Sequence, residues 1–229
     1  MNDYLVFGLG FMAQSLFFGR TFLQWFKSEN EGVVFSPVLY WKISLVASLL
    51  MLFYGILRND FAILLGQAVV YYIYVRNLHF KRAWRTLSPF LRIFVLGAPI
   101  VTAIGLLLGE TYSFRTLLGN REVAPWLLAL GVAGQLTFTF RFVYQWFHSE
   151  RVQESQLPPG FWIISITGAL IILVYAFFRR DPVLLLSNSL GLFIYLRNVL
   201  IHAGFRGLLD RPGLRGIRQL SRNISNRIR

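Results

Sequence analysis

Two arginines, Arg20 and Arg141, stand inside long apolar stretches and are flanked by amides at the same spacing: Gln14-x5-Arg20-x3-Gln24 and Gln135-x5-Arg141-x3-Gln145. A charge within a membrane-spanning stretch is costly and normally faces protein or a water-filled cavity. A guanidinium is a planar, permanently charged fork of donors, which suits a phosphate. On a helix Gln14, Arg20, Thr21 and Gln24 fall on one broad arc, and Gln135, Arg141 and Gln145 repeat it. One arginine from each segment would make a receptor for a phosphorylated headgroup. Two other readings stand beside it. Each arginine snorkels to the membrane interface, or bonds backbone carbonyls and the carboxylates of Glu29 and Glu150 to lock its own bundle.

A second set of polar groups follows. Gln67, Tyr71 and Tyr74 lie at i, i+4 and i+7, with Asn77 three residues on; the matching face is Asn188, Leu192, Tyr195 and Asn198. Hydrogen-bonding groups with aromatic neighbours suit sugar hydroxyls or a polar headgroup, and also suit bonding between membrane helices. Gln67 and Asn188, the deeper pair, are assigned with Tyr74 and Tyr195 to a pocket. Asn77 and Asn198 are assigned to capping or packing, and Arg76 and Arg197 to cytoplasmic headgroups. Trp25, Trp41, Trp146 and Trp162 fit an aromatic belt, with stacking on a sugar ring as the alternative for Trp41 and Trp162. Arg58-x-Asp60 and Arg179-x-Asp181 mark short outer turns. Lys42, whose counterpart is Ile163, breaks the match between the two segments.

The elements that must position these residues come in two copies. The shift is 121 residues (135 − 14), and it holds without a gap through Pro37/Pro158, Trp41/Trp162, Ser44/Ser165 and Tyr54/Tyr175 to Tyr74-x-Arg76-Asn77/Tyr195-x-Arg197-Asn198. A repeat of this length is one structural unit used twice. The chain is 55% hydrophobic and 14% charged, with mean hydropathy +0.55. A soluble domain carries about 25% charged residues, so the expected class is an all-α integral membrane protein. The spacing predicts seven transmembrane helices, at about 4–26, 37–57, 61–79, 90–109, 125–147, 160–178 and 182–202. The fourth has no copy. An odd number of spans between equivalent positions makes the halves parallel repeats: a first triple-helix repeat over 1–85, a linker helix and outer loop over 86–120, a second triple-helix repeat over 121–205 and a basic cytoplasmic tail over 206–229. Arginine and lysine gather at 76–92 and 206–229 within a net charge of +13. Those two segments then lie in the cytoplasm by the positive-inside rule, and the N-terminus is periplasmic. Beside membrane spans such charge reads as topology and anionic lipid contact, with no nucleic acid partner.

Cysteine is absent, which excludes disulfides and thiol chemistry. His79, His148 and His202 share no metal-ligand spacing, and no enzyme constellation is present. No metal, cofactor or catalytic residue is therefore expected, and the chain is read as not an enzyme.

The twice-repeated Gln-x5-Arg-x3-Gln-Trp-x2-Ser-Glu, followed by Pro, Trp, Arg-x-Asp and Tyr-x-Arg-Asn, resembles the lipid-A-disaccharide synthase N-terminal domain family over residues 9–80 and 130–201. The resemblance implies a place among PQ-loop and SWEET-like membrane proteins, two triple-helix bundles (3-1-3) facing a central cavity, and the bacterial inner membrane. The intramembrane arginines favour an anionic lipid over a neutral sugar. The expected function is a transporter or flippase for a phosphate-bearing lipid or lipid-linked sugar in lipid A or envelope glycolipid biosynthesis. The alternatives are a non-transporting scaffold that recruits a glycosyltransferase and a SWEET-like carrier of small sugars.

Overall fold

The computed structural model describes residues 3–57, 61–108, 125–180 and 182–205. Among them are seven α-helices and no strand: α1 (Asp3–Glu31), α2 (Val38–Leu57), α3 (Phe61–Phe80), α4 (Pro89–Leu108), α5 (Pro125–Val152), α6 (Pro159–Arg179) and α7 (Pro182–His202), with a 3-10 turn at Trp84–Thr86. The tail at 206–229, most of the outer loop within 86–120, the Arg58-x-Asp60 turn and Asp181 lie outside the described residues.

Local sequence sets the helix starts. Pro158 stands at the N-cap of α6 in extended backbone, with Pro159 following it inside the first turn. There the missing N–H has no helical partner to lose. Two helices run past the stretches the sequence predicts. The first extends from 26 to Glu31 and the fifth from 147 to Val152. At 29 residues, α1 is about 43 Å long, against about 30 Å of bilayer hydrocarbon. Its extra turns are polar yet buried: Gln24, Lys27, Ser28, Glu29 and Asn30 are all 7% exposed or less. Of these, Gln24 and Glu29 bond the other half of the molecule, at Asn198 and Arg197, and Ser28 bonds Gln24 and Phe35 of its own half. Both long helices end on a left-handed residue, Gly32 (φ 68°) after α1 and Gln153 (φ 56°) after α5.

The six duplicated helices close into a ring. Packing runs α1 on α2, α2 on α3, α3 on α5, α5 on α6, α6 on α7 and α7 back on α1, with α4 outside against α2. In each half the middle helix thus separates the first from the third. The halves meet at two seams, α3–α5 and α1–α7. One buried core spans both halves, from Tyr40, Trp41, Tyr71 and Tyr74 to Phe142, Phe161, Trp162 and Tyr195. Close approach at the helix crossings needs glycine at repeated positions. A Cβ on Gly10 would lie 2.7 Å from the Tyr54 ring, and one on Gly131 would lie 3.0 Å from Tyr175.

Large apolar side chains point outward, including Phe11 (75% exposed), Phe90 (81%) and Phe177 (69%), as they do where the solvent is hydrocarbon. Among the described residues four helices are long and apolar enough to cross a membrane: Tyr4–Glu31, Val38–Leu57, Pro159–Phe178 and Leu184–His202. The expected seven spans are thus seven helices, of which four meet that measure.

Candidate functional site

The polar ends of the odd-numbered helices join the halves. Across the α1–α7 seam, Gln24 Nε2 donates to Asn198 Oδ1 at 2.9 Å. One turn on, Arg197 Nε and Nη2 donate to the two oxygens of Glu29 at 2.7 and 3.0 Å. The α3–α5 seam repeats the device with the roles shifted by one repeat. Gln145 Nε2 donates to Asn77 Oδ1 at 2.8 Å, and Arg76 Nε and Nη2 donate to Glu150 at 2.5 and 2.8 Å. Fork-to-fork pairing of this kind fixes direction as well as distance. Three expectations are corrected here. Arg76 and Arg197 are bound to carboxylates of the other half, not to headgroups. Glu29 and Glu150 engage Arg197 and Arg76, and among the described residues no ion pair reaches Arg20 or Arg141. Gln24 and Gln145 spend their amides on the seams. The two ion pairs differ in setting: the Arg197 and Glu29 side chains are 10% and 1% exposed, whereas Arg76 and Glu150 are 42% and 31% exposed.

Arg20 and Arg141 sit deeper, each in an aromatic cage. Arg20 is 3% exposed, so it does not reach an interface. Its Nη1 donates to Ser44 Oγ, and Ser44 in turn donates to Tyr40 O at 2.5 Å. Its guanidinium carbon lies 4.6 Å from the Phe17 ring centroid, 5.0 Å from Tyr40, 5.1 Å from Tyr74 and 5.3 Å from Phe142. Arg141 repeats the circuit. Its Nη1 donates to Ser165 Oγ and Tyr195 Oη, both at 3.2 Å, and Ser165 donates to Phe161 O at 2.6 Å. Its cage is Phe138 (4.6 Å), Phe142 (4.9 Å), Phe161 (5.4 Å) and Tyr195 (5.6 Å). Phe142 belongs to both cages, so the two cations lie against one common ring.

Cation–π contact contributes about 0.5–2 kcal/mol per ring face and leaves the charge in place. Among the described residues neither arginine has a carboxylate at ion-pairing distance; the ion pairs found there use Arg76 and Arg197. Among the described residues, buried donors around the site without a hydrogen-bond partner include Nε of Arg20, Nε of Arg141, Nε1 of Trp41 and Nε1 of Trp162. An unpaired buried donor costs about 1–3 kcal/mol. Positive charge and spare donors in one place suit an anion rich in acceptors.

The remaining predicted residues are dispersed. Trp41 and Trp162 are buried against Tyr74 and Tyr195, each pair at 6.1 Å between ring centroids, and do not form an interfacial belt. Gln67 accepts from Ser48 Oγ at 2.7 Å, a link between α2 and α3. Asn188 Nδ2 donates to Leu184 O of its own helix at 2.9 Å. Gln135 faces Gly66 of α3, and Gln14 is exposed on α1. Sequence reasoning missed the shared Phe142, because its counterpart is Thr21 and the repeat carries no signal there. Ser44 and Ser165 were visible as a repeated pair but carried no role until the arginines were seen to bond them.

The Lipid A Biosynthesis N-terminal domain family matches the chain twice, at residues 9–79 and 130–200. The lipid-A-disaccharide synthase of Chlamydia pneumoniae is 31% identical over 202 residues, which is 86% of this chain and 33% of that protein. The Chlamydia muridarum protein of the same name is 32% identical over 207 residues, 86% of this chain and 34% of the relative. The chain spans about a third of the length of these curated relatives. No solved structure matches it. The expectation that the chain is not an enzyme is overturned here, since the relatives that match it along most of its length are named for an enzyme. Matched twice, over more than half of its residues, the chain belongs to the Lipid A Biosynthesis N-terminal domain family, and its setting is lipid A biosynthesis.

Proposed function

We propose that the chain is a membrane-embedded lipid-handling unit of lipid A biosynthesis. It takes a phosphate-bearing lipid or lipid-linked sugar, holds the phosphate at Arg20 and Arg141, and moves it in the manner of a flippase, serving the synthase chemistry for which its relatives are named. The observation that carries this reading is the pair of caged arginines sharing the Phe142 ring, with no carboxylate on either among the described residues. A phosphate would supply the missing countercharge. At an effective dielectric of about 20, each unit of charge at about 4 Å interacts by about 4 kcal/mol. The unpartnered N–H groups of Trp41 and Trp162 would donate to phosphate or sugar oxygens, with Tyr74 and Tyr195 beside them. Gln24, Gln145, Gln67 and Asn188 are engaged within the protein, which narrows the site to the cages and the tryptophans.

In this reading all seven helices span the inner membrane in a 3-1-3, SWEET-like order, with the N-terminus periplasmic and the seam ion pairs toward the cytoplasm. The partner there is a glycosyltransferase. The test is translocation of a fluorescent phospholipid in proteoliposomes by Arg20→Gln and Arg141→Gln proteins that keep the native melting profile. At least a tenfold loss is expected from each; undiminished translocation refutes the phosphate role.

A further inference from the structure

The two seams are built from equivalent positions but differ away from the ion pairs. At α3–α5 the backbone of Gly66 lies against α5, where an added Cβ would be 3.2 Å from Gln135 Nε2 and 3.6 Å from Thr139 Oγ1. Gly66 is buried, and Gln135 and Thr139 are partly so. The shift of 121 maps these three onto Ser187 of α7 and onto Gln14 and Phe18 of α1, and all three of those are exposed. Gln14 and Phe18 precede Trp25 by 11 and 7 residues, which places them within about 20° of it around the helix. Trp25 packs edge-on against Phe193 of α7 at 5.7 Å. The side of α1 that meets α7 at the ion-pair end is therefore uncovered two to three turns away. Both seams are latched at the polar end, and among the described residues these three equivalent positions are covered at α3–α5 and exposed at α1–α7, so the α1–α7 seam parts beyond its latch.

The parted stretch holds an amide and a hydroxyl among outward apolar side chains such as Phe11 (75% exposed) and Leu186 (64%). Ser187 Oγ donates to Leu184 O of its own helix at 3.3 Å and keeps acceptor capacity, and a polar side chain that faces lipid is costly. Arg20 follows Gln14 by six residues, on the buried side of the same helix. The geometry points to the parted α1–α7 seam as a lateral portal and headgroup subsite for an amphipathic lipid whose headgroup carries hydroxyls beyond its phosphate. The acyl chains stay in the bilayer, Gln14 and Ser187 bond the hydroxyls, and the phosphate passes inward to Arg20. This rests on the phosphate-binding reading above.

The chain has no native cysteine, so single cysteines report cleanly. In nanodiscs, Gln14→Cys should react with a bulky apolar maleimide at least tenfold faster than Gln135→Cys, its equivalent in the closed seam. Phosphatidylinositol, a phosphate with a hydroxylated ring, should slow that labelling. A Gln14→Leu/Ser187→Ala protein should retain about tenfold less phosphatidylinositol and as much phosphatidic acid as the unaltered protein. Equal labelling rates, or unchanged phosphatidylinositol retention, overturn the portal. Retention of phosphatidic acid by Arg20→Gln and Arg141→Gln proteins, with the portal variants still losing phosphatidylinositol, would remove the phosphate reading and leave the portal standing.

Discussion

Replacing Glu29 with glutamine tests the ring closure by the difference between two equivalent ion pairs. The change is isosteric. Oε1 still accepts from Trp25 Nε1, now at 3.0 Å, but the other oxygen, 3.0 Å from Arg197 Nη2, becomes a donor facing a donor. Arg197 is then a buried cation without its counterion, with its side chain 10% exposed. Removing one partner of such a pair costs about 3–5 kcal/mol. Glu150→Gln makes the same change where the side chains are 42% and 31% exposed. Water screens that site, and about 0–1 kcal/mol is expected. For a chain of this size about 2–4 °C of melting temperature corresponds to 1 kcal/mol. Glu29→Gln should therefore lower the melting temperature in detergent by about 10 °C, and Glu150→Gln by no more than about 4 °C. Intrinsic tryptophan fluorescence reads this directly, since Trp25 and Trp146 each bond one of the two carboxylates. The double variant Glu29→Arg/Arg197→Glu should recover part of the loss. Equal shifts from the two single variants, or no recovery by the exchange, would refute the claim that α1 and α7 are joined by a buried pair across the halves.

Two further outcomes follow from the same seams. Hydrogen bonding from Arg76, and next from Trp146, holds the Glu150 carboxyl below the usual range against the opposing effect of burial. A depressed folded pKa contributes stability that is present above the unfolded value and lost as pH falls through the folded value. Acidification from pH 7 to below about 4 should loosen α3–α5, seen as faster amide exchange near Asn77, and Glu150→Gln should remove Glu150's share of that dependence. At the end of α5, Gln153 adopts φ 56° where the first copy has Gly32 at φ 68°. Gln153→Gly should stabilise the protein by up to about 1 kcal/mol, less whatever is lost with the bond from Gln153 Nε2 to Glu150 O; a fall in melting temperature would contradict this account of the turn.

The features legible before any folding are periodic and local. Seven apolar stretches became seven helices near the expected positions, because length and hydropathy act within each segment. The shift of 121 residues (135 − 14) picked out nearly every polar position that matters, since a duplicated fold needs the same side chains twice. What it left open was which copy each side chain serves. Gln24 has a suitable asparagine in its own half, Asn77, yet bonds Asn198, 174 residues away; Glu29 likewise reaches Arg197, 168 residues away. A repeat says that positions are equivalent and is silent on whether partners lie within a copy or between copies. Closure of the six helices into a ring decides that, because it brings the ends of α1 and α7, and of α3 and α5, side by side. The same closure uses up the carboxylates at the seams, leaves Arg20 and Arg141 in their cages without them, and places Phe142, whose counterpart in the repeat is the non-aromatic Thr21, beside both.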